Sequence, residues 1–158
     1  MGYRHFDKAN LEVSYPFGYG LSYTRFEYGN MEVVLKNDTI QVSLSVKNTG
    51  TQAGKEVVQL YFSKPNSAID RPTQELKSFV KTRPIAPGAT ESLALLIPVA
   101  DLSYWDETAK AWKLEPGTYS VQCGASSRDI RQQGVLAVRP TGSGSNFGLL
   151  PDFALPAK

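Results

Sequence analysis

The sequence predicts an all-β chain: a two-sheet β-sandwich over residues 26–139, flanked by extended arms at 1–25 and 140–158. Three observations predict it. Short apolar segments recur with Gly, Pro and Asn-Asp turn signals about every 8–12 residues. Thr39 to Asn48 alternates cleanly, with Ile40, Val42, Leu44 and Val46 on one side and Gln41, Ser43, Ser45 and Lys47 on the other, the period-2 mark of a half-buried strand. No segment carries a helical period of useful length, so the strands have only each other to pack against.

The first 25 residues read as an arm. Tyr15-Pro-Phe-Gly-Tyr-Gly-Leu-Ser-Tyr23 places four aromatics, two glycines and one proline in nine residues. Neither period runs through it, and its glycines bend it. Tyr15, Phe17, Tyr19 and Tyr23 need a surface to lie on, and the expectation is that the arm folds back along the sandwich through Phe17, Tyr19 and Tyr23. Strands follow at Phe26–Tyr28, Met31–Leu35 and Thr39–Asn48, the last two separated by Asn37-Asp38. Glu56 to Ser63 is apolar on both faces (Val57, Val58, Leu60, Tyr61, Phe62) and belongs at the centre of a sheet. A proline-bounded loop, Lys64 to Pro72, leads to a strand from Leu76 to Arg83. Pro87-Gly88 turns the chain into Glu91–Ile97, with Leu93, Leu95 and Ile97 inward, and Pro98 ends that strand.

Asp101 to Asp106 reads as a short helical turn capped by Asp101, and Trp112-Lys-Leu114 as a short extended piece. Glu115-Pro-Gly-Thr-Tyr119 opens a late strand with Tyr119, Val121 and Cys123 inward, and its Tyr suits a tyrosine corner, in which the hydroxyl bonds backbone a few residues upstream. A last strand surrounds Val135, Leu136 and Val138. Gly142-Ser-Gly-Ser145 marks the tail 140–158 as linker-like.

Composition narrows the function classes. Apolar residues make up 41% and charged residues 20%, enough for a core, and the net charge of +2 does not by itself point to nucleic acid. No apolar run approaches the ~18 residues of a membrane span. The start, Met1 to Asp7, lacks the apolar stretch of a signal peptide, which leaves a cytosolic protein or a piece of something longer. The single cysteine, Cys123, forms no intramolecular disulfide and reads as a small buried strand residue. No metal-ligand spacing or phosphate-cradling loop is present, so neither a metal nor a cofactor is expected. His5 is the only histidine and sits in the arm, a poor place for a catalytic base. The carboxylates of Asp101, Asp106 and Glu107 suit caps and turns better than a catalytic pair across a cleft.

Binding chemistry remains. Lys77, Phe79, Lys81 and Arg83 share one strand parity and, with Lys64 and Arg71, make a candidate basic stripe for a polyanion. The plainer arrangement turns Phe79 into the core, with the lysines at its rim or guarding a strand edge. Trp105 and Trp112 form a candidate aromatic platform for sugar rings, against the plainer expectation of a lid over the core. Arg128, Arg131 and Arg139 form a weaker second cluster.

The arm from Tyr15 to Thr24 resembles the segment that opens the C-terminal fibronectin type III-like domain of family 3 glycoside hydrolases, the β-glucosidases and β-xylosidases. Tyr3-Arg-His-Phe-Asp7 resembles the element leading into it. Val46–Gly50, Gly54–Tyr61, Glu75–Phe79, Pro87-Gly88, Asp101–Asp106, Glu115–Tyr119 and Ser126–Ile130 resemble its later elements in the same order. The resemblance covers residues 3 to 139 and leaves the tail unplaced. It implies an immunoglobulin-like sandwich and a secreted or periplasmic parent enzyme. It also implies that the nucleophile and acid/base of that family lie in other domains, so no catalytic residue carries over to this chain. The expected role is a non-catalytic accessory domain that packs against and stabilises the catalytic domains of the parent, with the aromatic arm at the junction. The alternative is a binding module for plant cell-wall polymers, acidic polysaccharide or lignin derivatives, through the basic stripe and the tryptophans. An independent enzyme is disfavoured, and neither nucleic acid nor membrane is an expected partner.

Overall fold

The computed structural model describes residues 2–139. The tail 140–158 lies outside the described residues. One short helix, α1 (Tyr3–Lys8), precedes ten strands: β1 (Phe26–Tyr28), β2 (Glu32–Lys36), β3 (Thr39–Asn48), β4 (Val57–Ser63), β5 (Glu75–Lys81), β6 (Thr90–Pro98), β7 (Tyr104–Asp106), β8 (Ala111–Lys113), β9 (Gly117–Ser126) and β10 (Asp129–Val138).

Two four-stranded antiparallel sheets form the sandwich. In the first, β6 pairs along one edge of β3, and β1 and β2 share the other, β1 against Val46–Asn48 and β2 against Thr39–Ser43. The second runs β10-β9-β4-β5. The alternation read in β3 holds in full: Ile40, Val42, Leu44 and Val46 are all buried. They meet Val58, Leu60 and Phe62 of β4, Tyr119, Val121 and Cys123 of β9, and Leu95 and Ile97 of β6 in one core. Period 2 places these residues on one face of each strand, and burial from both sheets makes that face dry. The expected tyrosine corner is present, with the Tyr119 hydroxyl donating to the Glu115 carbonyl oxygen at 2.7 Å.

β4 is central, as its two apolar faces predict, flanked by β5 and β9. Its outward face is buried for a reason outside the sandwich: the arm lies on it. Gln59 and Tyr61 point out of the core, and Tyr61 donates to Gln59 Oε1 at 2.6 Å. Tyr3 of α1 meets the edge of the Tyr61 ring and stacks on Phe17 with centroids 4.1 Å apart.

Three expectations are corrected. The segment after Pro98 forms a 3-10 turn over Val99–Leu102 in which Asp101 makes no side-chain cap bond. Tyr104–Asp106 is then strand, pairing with Ala111–Lys113 in a separate two-stranded ribbon. Because this ribbon joins neither large sheet, Trp105 and Trp112 do not close the core. They sit opposite each other as an edge-to-face pair, centroids 5.7 Å apart, and Trp112 is 70% exposed.

The third correction concerns Phe79, which is 66% exposed and faces away from the core. The cause is a bulge. Leu60 pairs with Ser78, but Tyr61 pairs with Leu76, so Lys77 is an extra residue with nothing opposite. One extra residue inverts strand parity. Beyond it, Phe79 lies opposite Gln59 and Lys81 opposite Val57, and Phe79 shares the outward face with Gln59.

Candidate functional site

The arm is fixed to the second sheet mainly by its backbone. The Ser127 N–H donates to the Phe17 carbonyl at 2.8 Å. Gln59 Nε2 donates to the carbonyls of Gly18 at 3.0 Å and Ala125 at 2.7 Å. Gly18 has φ +81°, and a Cβ there would stand 1.9 Å from Gln59 Oε1, so the close approach requires glycine. At its far end the arm rejoins the fold through Thr24 Oγ1, which donates to Asn48 Oδ1 at 2.6 Å.

The helix that starts the arm is held by side chains. Asp7 Oδ1 accepts from Arg128 Nε at 2.9 Å, and the same guanidinium reaches the carbonyls of Phe6 and Leu11. Arg4 pairs with Glu75 at 3.0 Å, Lys8 pairs with Asp70, and the Leu76 N–H donates to the Tyr3 hydroxyl.

Between these attachments residues 19–23 form an arch. Phe17 lies against the sandwich as expected. Tyr19 and Tyr23 do not: Tyr19 packs on Tyr15 with centroids 5.2 Å apart, and Tyr23 is fully exposed. Tyr19, Leu21 and Phe79 are exposed and line one groove, and Tyr15 and Tyr23 are exposed as well.

Arch and sheet enclose a groove of about 1020 Å³. Glu56 and Tyr28 both line it. Glu56 is half-buried, and burial pushes its carboxyl above the ordinary value despite the hydrogen bond from Val57 N–H to Oε1. Tyr28 is buried, and among the described residues its hydroxyl has no hydrogen-bond partner. Arg131 stacks over the Tyr28 ring at 5.0 Å and donates to Asp129 and to the Phe26 carbonyl, and its charge partly offsets the effect of burial on Glu56. That Arg131 bond holds the Asp129 carboxyl below its usual value.

The candidate basic stripe is divided. Arg71 is nearly buried, bound to Glu115 and the Leu102 carbonyl and set 5.0 Å over the Tyr104 ring. Lys64 lies 5.5 Å over Tyr119. Lys77, turned by the bulge, pairs with Glu75 at 3.3 Å. Arg83 pairs with Glu91 at the far end, and Lys81 lines the groove under the arch. Trp105 and Trp112 line a second groove of about 740 Å³ with Arg4, Arg71 and Lys77. Among the described residues no cluster of His, Cys, Asp or Glu is arranged to hold a metal, and no helix is long and apolar enough to cross a membrane.

Sequence reading missed Asp7, Arg128, Gln59, Glu56 and Tyr28 as parts of this face. Gln59 had a signal, a lone amide in a strand apolar on both sides; such an amide needs buried partners. Asp7 and Arg128 are 121 residues apart and had none.

Comparison with known proteins assigns the fold. A family model described as the fibronectin type III-like domain matches residues 56–127. A probable β-glucosidase K of Emericella nidulans is 42% identical over 143 residues, covering 89% of this chain and 16% of that protein. The thermostable β-glucosidase B of Acetivibrio thermocellus is 41% identical, covering 82% of this chain and 18% of the relative. Among solved structures, β-glucosidase 3B of Thermotoga neapolitana superposes with a TM-score of 0.85 at 46% identity, over 89% of this chain and 19% of that one. The chain thus spans less than a fifth of the length of each of these relatives, and what it matches in them is their non-catalytic sandwich. The chain belongs to the fibronectin type III-like domains of the family 3 glycoside hydrolases.

Proposed function

We propose that this accessory domain packs against the catalytic body of a longer β-glucosidase-type enzyme through its arm face and stabilises that body. One observation carries the reading: the arm is tied down at Phe17, Gly18 and Thr24, yet Tyr15, Leu21, Tyr23 and Phe79 are left exposed beside it. Ordering a segment while leaving its rings in water has a cost that docking would offset, at about 1.5–3 kcal/mol for each large apolar side chain fully buried. The short span of this chain in its relatives supports, as the occupant, the remainder of a longer polypeptide. A secreted or periplasmic setting belongs to this reading.

The test is joint replacement of Tyr15, Tyr19 and Tyr23 by Ser. In the longer enzyme it is expected to lower the thermal midpoint, while the isolated chain melts as before. An unchanged midpoint in the longer enzyme overturns the reading. Polymer binding has less support, since Arg71 and Lys77 are held in ion pairs and the two indoles meet edge to face instead of forming a flat platform.

A further inference from the structure

We infer that the groove beside the β7-β8 ribbon is the seat of the chain's own segment Asn146-Phe-Gly-Leu-Leu-Pro-Asp-Phe-Ala-Leu-Pro156, which covers Trp105 and Trp112. The inference does not rest on the docking of the arm.

The groove asks for an apolar occupant. Trp105 and Trp112 are 44% and 70% exposed, on a ribbon that joins neither large sheet. Neighbouring exposed aromatics of this size mark a surface that another group covers. The charges around them are already matched. Three cations, Arg4, Arg71 and Lys77, and three carboxylates, Asp70, Glu75 and Asp101, line the groove, and all but Asp101 are held in ion pairs. The two indole planes meet at 71°. They make a notch that suits a leucine or proline side chain better than a flat sugar ring.

The segment 146–156 has that chemistry. Phe147, Leu149, Leu150, Phe153 and Leu155 come with one charge, Asp152. Such a run differs from the Gly-Ser stretch before it and gains by leaving water. Pro151 and Pro156 lack the N–H that a sheet edge would use, whereas proline-containing segments fit grooves lined by aromatic rings. Reach favours this groove. Val138 ends β10 opposite Gly117, and Gly117 is five residues past Trp112. Trp112 therefore lies within about 23 Å of Val138, at most about 18 Å of it along the chain and the rest across the strand pair. Phe147 is nine residues beyond Val138, a tether of up to about 30 Å. The arch lies the other way: Asp129, which lines its groove, stands at the opposite end of β10, roughly 30 Å from Val138.

Trp105 and Trp112 are the only tryptophans in the chain, so intrinsic fluorescence reads this groove alone. The test is joint replacement Phe147→Ser, Leu150→Ser and Phe153→Ser in the full chain, read by acrylamide quenching. It is expected to raise the quenching constant about two-fold and shift emission to the red, as the indoles pass from covered to open, with the sheet signal unchanged. The converse change, Trp112→Ala, is expected to speed chymotrypsin cleavage after Phe147 and Phe153 by a similar factor. Equal quenching in the parent and the triple variant overturns the inference, as does cleavage indifferent to Trp112. Protection of the indoles that grows with chain concentration also overturns it, because the segment in the groove would then belong to a second copy.

Discussion

Glu115 does more than any other single residue to hold the loop end of the sandwich. Its carboxylate accepts from the Ala68 N–H, the Ser67 hydroxyl and Arg71 Nε, and its carbonyl accepts from Tyr119. Burial pushes this carboxyl up, but those bonds and the charges of Lys64 and Arg71 outweigh it and hold the group below its ordinary value. A carboxyl whose folded value is depressed contributes stability above the unfolded value and loses it as pH falls through the folded one. Glu115→Gln is therefore expected to lower the urea midpoint most near about pH 7 and progressively less toward acid. Parallel midpoint curves for the two proteins across that range would show that the charge contributes nothing. The corner itself was legible, because Pro-Gly before a period-2 segment fixes where Tyr119 stands. The partners of Glu115 were not, since Ser67 and Arg71 come from a loop whose path no pattern encodes.

Among the elements, the strands were legible and the pieces held by single long-range contacts were not. β3, β4, β6 and β9 announce themselves by alternation or by apolar runs, because each must bury a face. The bulge in β5 was invisible: Lys77 differs from its neighbours in nothing the sequence displays, yet it reverses the direction of Phe79 and splits the basic stripe. Helix α1 was missed because six residues with no buried side chain carry no hydrophobic period, and so short a helix is not stable by itself. Its order comes from Arg128, Tyr3 and Arg4. Removing the first contact set with Arg128→Ala is expected to abolish hydrogen-exchange protection in residues 3–11 and leave that of β3, β4 and β9 unchanged. Retained protection in α1 would mean that Tyr3 and Arg4 suffice. The global unfolding free energy is expected to fall by only about 1 kcal/mol, as for other partly exposed ion pairs.

At the scale of the whole molecule, one core unites both sheets, and Cys123 lies within it with no exposure. Burial pushes its thiol up to about 12, so it is neutral and inaccessible in the folded chain. A thiol-reactive dye is expected to label it only at the rate of global unfolding, rising with denaturant in step with loss of sheet signal; fast labelling in native buffer would show that β9 opens locally. The attachment of the arm has a different kind of consequence. The bonds that seat it on β4 and on the turn between β9 and β10 end on the carbonyls of Phe17 and Gly18, groups every residue type possesses. Beyond Gly18, the outward residues of the arch can be exchanged without loosening its seat. Under the proposed docking, the sandwich is a mount with a replaceable faceplate: one fold could be refitted to differently shaped enzyme bodies by rewriting a handful of outward positions between Tyr19 and Tyr23, with the core left untouched.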